Sequence, residues 1–274
     1  MGEDAESTRP PIAFRHDGST LIAEESGHGD RVFLLVHGIG MGRNVFDALA
    51  GLLGEHGRVV AVDLPGYGQA PEPPRTPTME RLGDLIAAFI RAKAFESVVL
   101  VGHSMGAQVV IEAVARHPGI AERVVLIGPT VNDRERSARV QLRRLAQDLI
   151  IESPKVVAIG ARAYARAGPN LRSKMRAMIV HEPEHSLPLV TAETLVIRGG
   201  DDLVVPRHWC ERVVSLLPDG RLEVVRDHGH ETMIRDARPT ARLILAFVEG
   251  DGDGPDHRRS TATHRSDPDT HAAN

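Results

Sequence analysis

Six short apolar runs recur along the chain, and they constrain its fold more than any other feature. They are FLLVH (33–37), VVAVD (59–63), VVLVG (98–102), VVLIG (124–128), TLVIR (194–198) and LEVVR (222–226). Each has the length of a strand. Their continuous apolarity, without alternation, is the pattern of strands covered on both faces. Between them, Met79, Leu82, Leu85, Ile86, Phe89 and Ile90 fall at helical spacing, as do Trp209, Val213, Leu216 and Leu217. The two strand-like segments IAFRH and TLIAEES flank Asp17-Gly18 and read as a hairpin. The expectation is an α/β fold, a doubly wound and mostly parallel sheet with helices on both faces.

The alternation breaks between about Pro129 and Ala192, where no strand pattern occurs and two or three helices are expected, with Pro154, Gly168 and Pro169 as breaks. We therefore divide the chain into a flexible N-terminus (1–10), a core (11–128 and 193–249), a helical lid inserted at 129–192, and a disordered tail (250–274) with almost nothing to bury. The tail histidines His257, His264 and His271 are too irregularly spaced for a metal site. At 274 residues and 42% hydrophobic, the chain can bury a full core in one domain.

Residues 98–110, VVLVGHSMGAQVV, place Ser104 between Gly102 and Gly106, after an apolar run and before a helical stretch. A strand turning sharply into a helix lifts one side chain clear of the backbone, and flanking glycines remove the Cβ atoms that would clash. Ser104 Oγ is expected to stand exposed at the top of the sheet. A hydroxyl nucleophile needs a base, and the base needs an orienting acid. Two later strand ends supply candidates, Asp201 and Asp202 after TLVIRGG, and His228 and His230 after LEVVRD. Upstream, RVFLLVHGIGMG breaks into His37-Gly38-Ile39-Gly40. The Ile39 N–H and the N–H of Met105, first in its helix, are the expected oxyanion donors. All of these groups fall at the C-terminal edge of the strands, where open parallel sheets bind ligands.

With HGIG (37–40), DLPGYG (63–68), GHSMG (102–106), GGDDLVVP (199–206) and GHETM (229–233) in this order, the chain resembles the α/β-hydrolase superfamily from about Ile12 to Glu249. The region around HEPEHSLPLV is similar to bacterial serine hydrolases with a small helical lid. In that family the acid stands three residues after the strand-end glycine and four before the proline, and the base directly follows a glycine. The resemblance thus implies Ser104, Asp202 and His230 as catalytic residues and no cofactor or metal. It departs from many relatives at Gln69-Ala70, where a serine is common, and HGIGMG differs from the HGGGPG-like loop of carbon–carbon bond hydrolases.

Other polar residues of these motifs have plainer readings. His103 is expected to pack, Asp63 to organise its turn through backbone N–H groups, and His37 to be structural. Tyr67 and Trp209 are left as core or rim. The expected activity is serine hydrolysis of a carboxylic ester, thioester or lactone. Carbon–carbon cleavage, a cyclase or lyase reaction using the same triad, and ligand binding without catalysis are the alternatives, because fold does not fix chemistry.

The net charge of −4 gives no reason to expect nucleic acid, so the partner is read as a small-molecule substrate. Residues 131–181 nevertheless hold eleven Lys or Arg against four Asp or Glu, which would suit an anionic or carrier-bound acyl group, or simply form a solvated face. A single cysteine excludes an intrachain disulfide. No apolar run of about 18 residues occurs, so no membrane insertion is expected and a cytoplasmic location is the default.

Overall fold

A computed structural model of the chain describes residues 10–132, 136, 170–234 and 236–250. The expected flexible start, the tail beyond Gly250 and the middle of the insertion lie outside the described residues.

The predicted apolar runs form strands. β1 (Ile12–His16) and β2 (Ser19–Gly27) make the hairpin, with Asp17 and Gly18 both at positive φ as a tight two-residue turn requires. β3 (Arg31–Val36), β4 (Arg58–Asp63), β5 (Ser97–His103), β6 (Arg123–Ile127), β7 (Glu193–Gly199) and β8 (Gly220–Val225) follow, all parallel to their neighbours among themselves. The eight strands form one sheet in the order β1-β2-β4-β3-β5-β6-β7-β8, with β2 joining β4 antiparallel.

Side-chain alternation within each strand splits the core in two. Val32, Leu34 and Val36 of β3 face one side, with Val98 and Leu100 of β5; Phe33 and Leu35 face the other, with Val99 and Val101. Helices cover both sides, as continuous apolarity demands. α2 (Met79–Ala92), α3 (Met105–Arg116) and α5 (Arg207–Leu216) join the first layer, and α1 (Asp47–Gly54) and α6 (Arg238–Glu249) the second. α4 (Leu171–Val180), at the returning end of the insertion, packs onto the first layer through Met178.

Strand order reverses direction between β3 and β5. Sequence progresses outward toward β4 on one side of that junction and toward β8 on the other, so the loops leaving β3 and β5 diverge and open a crevice at their C-terminal ends. The HGIG loop and the Ser104 turn occupy the two lips of that crevice.

Candidate active site

Ser104 sits at the junction of β5 and α3 with φ 54° and ψ −116°, a conformation that costs a non-glycine residue about 1–3 kcal/mol. The turn is held by Ser104 N–H donating to the Ile127 carbonyl at 2.9 Å and by Ala107 N–H donating to the Ser104 carbonyl at 3.0 Å. Gly106 is obligatory by space: a Cβ there would lie 2.2 Å from the Val36 carbonyl oxygen. Contrary to the sequence expectation, Ser104 is buried, only 6% exposed. The HGIG loop packs against it, so close that a Cβ on Gly38 would stand 3.1 Å from Ser104 Cβ.

Ile39 is the next residue of that loop, and His37 fixes the loop's start. The His37 Nε2 accepts from Leu64 N–H at 3.1 Å, so its proton resides on Nδ1, which donates to the Gly38 carbonyl at 2.7 Å. Burial pushes His37 below the ordinary histidine range, keeping it neutral. His37 is structural, as expected. Met105 opens α3, so its N–H has no intrahelical acceptor, and the helix dipole favours negative charge in front of it.

Asp202 follows β7 on a loop closed by its own carboxylate. Oδ1 accepts from Val204 and Val205 N–H at 2.8 and 2.7 Å, and Oδ2 accepts from His230 Nδ1 at 2.9 Å. Asp201 is exposed and makes no such bond; its N–H donates to the His228 carbonyl. The helix begun by Pro206 takes no side-chain cap from Asp202. His228 turns both ring nitrogens to backbone carbonyls, of Arg226 at 2.8 Å and Asp236 at 3.2 Å, which leaves neither for chemistry. His230 therefore has the acid partner. His103, covalently next to Ser104, packs against it with ring centroids 4.9 Å apart, and Gly128 flanks its other side, within 2.9 Å of His230 Cε1 if a Cβ were present. The structure brings Ser104, Asp202, His230 and the Ile39 and Met105 backbone to one sheet edge.

Around the site, Arg43, Lys174, Gln108 and Glu112 make contacts that the sequence did not single out. Asp63 does accept a local N–H, from Gln69 at 2.9 Å, but its larger commitment is to Arg43, whose N–H donates at 2.7 Å and whose guanidinium also pairs with it. Lys174 on α4 is buried, donating to the Gly66 carbonyl at 2.6 Å and to Glu72 at 2.9 Å while lying 4.5 Å from the Tyr67 ring centroid. Tyr67 is core, with its hydroxyl on Met105 Sδ at 3.6 Å, and Trp209 is core too, donating to the Pro129 carbonyl at 2.9 Å. Gln108 and Glu112 on α3 hold the end of the insertion through the Met178 carbonyl, His181 and Ser186. Of the basic residues counted in 131–181, Lys174 and Arg136 are thus spent on internal partners, the latter on Glu184 and the His181 carbonyl.

Among the described residues, Glu80, Glu112 and His181 gather their donor atoms within 4.8 Å. Glu112 Oε1 already accepts from His181 Nε2 and Ser186 Oγ, so two of the three groups are committed to each other. No described helix is long and apolar enough to cross a membrane.

Comparison with known proteins bears on the family and the fold. A family profile described as the alpha/beta hydrolase family matches residues 33–244. The chain is 28% identical over 268 residues to a pimeloyl-[acyl-carrier protein] methyl ester esterase of Neisseria meningitidis serogroup A, covering 86% of this chain and 84% of that one. It is also 28% identical over 256 residues to the 2-hydroxy-6-oxo-6-(2'-aminophenyl)hexa-2,4-dienoic acid hydrolase of Metapseudomonas resinovorans, covering 82% and 86%. Among solved structures, a thermophilic esterase from Thermogutta terrifontis superposes with a TM-score of 0.75 at 21% identity, over 88% of this chain and 98% of that one. With the profile spanning most of its length and the sheet, crevice and motif order in place, the chain belongs to the alpha/beta hydrolase family.

Proposed function

We propose that this hydrolase cleaves a carboxylic ester, thioester or lactone through an acyl-enzyme on Ser104. The observation that carries the reading is the 2.9 Å bond from His230 Nδ1 to Asp202 Oδ2 beside a strained, helix-opening Ser104. Because Nδ1–H is donated to a carboxylate, Nε2 keeps its lone pair and can take the Ser104 proton as Oγ attacks the carbonyl carbon. Asp202 then faces an imidazolium, and the Ile39 and Met105 N–H groups hold the oxyanion. Collapse expels the alcohol or thiol, protonated by His230. Water repeats the sequence on the acyl-enzyme, and the acid leaves with Ser104 restored. No step requires a cofactor.

Residues 129–192 act as a lid over the crevice in this reading. Their described end, α4 and the turn after it, is anchored on the nucleophile's own helix by Gln108 and Glu112. The substrate is a small molecule, and the similarity to an esterase named for an acyl-carrier ester supports an anionic or carrier-bound acyl group. Carbon–carbon cleavage is the competing reading, against which the HGIGMG loop differs from the HGGGPG-like loop of such enzymes.

Turnover of a panel of activated esters, thioesters and lactones, with Ser104→Ala alongside, tests the proposal. Hydrolysis lost by several orders of magnitude in a folded variant is the expected result. A wild-type protein inert to the whole panel, or a fully active Ser104→Ala, refutes it.

A further inference from the structure

The residue inside the GHSMG motif has no role in the mechanism above, yet it is among the most thoroughly buried polar groups of the site. His103 is 0% exposed. Its Nε2 lies 3.3 Å from the backbone carbonyl oxygen of His230, and its ring is tilted 48° to the His230 ring. A carbonyl only accepts, so the proton is on Nε2. Nδ1 is then a bare lone pair with no hydrogen-bond partner among the described residues, turned to the HGIG loop, where a Cβ on Gly38 would meet it at 3.1 Å.

We propose that His103 is a positioning residue for the base: its Nε2–H grips the His230 carbonyl and so ties the histidine loop to the strand end that carries Ser104. The inference rests on the reading of His230 as base. Asp202 orients the imidazole through its ring, whereas the His103 bond reaches the backbone beneath it, five residues beyond the end of β8, and joins it to the nucleophile's strand. A donor fused by one peptide bond to Ser104 sets the separation of nucleophile and base, and a misplacement of about 1 Å can cost about 100-fold in rate. Burial, and next the adjacent His230, push His103 well below the ordinary histidine range. It stays neutral, so no second cation confronts the His230 imidazolium at a ring separation of 4.9 Å. Simple aromatic filling would need neither the donor nor neutrality.

The two explanations separate in His103→Gln, whose amide places an N–H where Nε2–H was, and His103→Phe, which keeps the ring and loses the donor. The rate at which a fluorophosphonate labels Ser104, and kcat and KM on an activated ester, are the readouts. We expect His103→Gln within about 3-fold of wild type and His103→Phe slowed about 10- to 100-fold in labelling and kcat, with KM changed less than about 3-fold. A Phe variant as fast as wild type, or a Gln variant as slow as Phe, overturns the role. Independently of any variant, 15N spectra of the wild-type imidazoles should show His103 neutral with its proton on Nε2 from about pH 6 to 8; a charged ring or an Nδ1–H tautomer overturns it as well. If wild-type Ser104 is not labelled at all, the proposed function itself fails and this role falls with it, whereas normal wild-type labelling with an equally fast Phe variant removes this inference alone.

Discussion

Replacing Asp202 by asparagine changes one atom and should nearly abolish activity, for a reason the loop geometry makes specific. Oδ1 accepts two backbone N–H groups, from Val204 and Val205, at 2.8 and 2.7 Å. The asparagine oxygen must stay there, because the flipped amide would leave both buried donors unpaired, at about 1–3 kcal/mol each. The NH2 is then forced toward His230 Nδ1, which becomes an acceptor. The His230 proton moves to Nε2, where it blocks removal of the Ser104 proton. Removing an acid's control of the tautomer in this way is worth about 10,000-fold, or about 5.4 kcal/mol of transition-state stabilisation. The assay is kcat/KM on an activated ester for Asp202→Asn beside Asp201→Asn, whose exposed side chain makes it the control. The Asp201 variant should remain within about 2-fold of wild type. An Asp202 variant within about 10-fold of wild type, or loss confined to Asp201→Asn, would refute the reasoning.

Other expectations concern stability and access. His37 and His103 are both fully buried and held below the usual histidine range, so the unfolded chain takes up their protons first as pH falls. Stability should be full above about pH 6.5 and fall as pH drops below it, read from urea unfolding at pH 7, 6 and 5; a flat profile would contradict the neutral burial of both. Gly128→Ala places a Cβ at φ 51°, 2.9 Å from His230 Cε1, and should lower kcat about 10- to 100-fold; unchanged kinetics would show that Gly128 does not confine His230. Lys174→Met removes the donor to the Gly66 carbonyl and one of the two to Glu72, and should destabilise by about 1–3 kcal/mol in thermal or urea unfolding. The Cys210 thiol, buried and pushed up to about 12, should react with a disulfide reagent only after unfolding, and fast native-state reaction would place it at the surface.

What could be read from the chain and what could not divides along the range of the interactions. The strands were legible because continuous Val-Leu-Ile runs carry their burial in local sequence, and the elbow because a Cβ at Gly102 would meet the Gly106 carbonyl oxygen four residues on, a local clash with a local solution. The choice of Asp202 over Asp201 was not a matter of residue type. It follows from the carboxylate closing its own loop onto Val204 and Val205, which the family spacing reflects without explaining. Ser104 was expected in the open because the turn lifts it, whereas Gly38 of the HGIG loop, 66 residues earlier, packs against it. Arg43 with Asp63 and Lys174 with Glu72 join segments far apart in sequence, and a lysine among Arg172 and Arg176 reads as surface until the Gly66 carbonyl is found beneath it. Gln108 and Glu112 sit four residues apart on a helix that looks merely core-facing, yet they anchor the returning insertion. Each needed the tertiary fold to become visible.

The central claim is that Ser104 is the nucleophile, activated by His230. Peptide mapping of the protein inactivated by a fluorophosphonate tests it most directly. The account predicts one adduct per chain, on Ser104, formed in step with the loss of esterase activity and absent when His230 is replaced by alanine. Complete inactivation with the adduct on another residue, or an esterase left active with Ser104 fully modified, would contradict it.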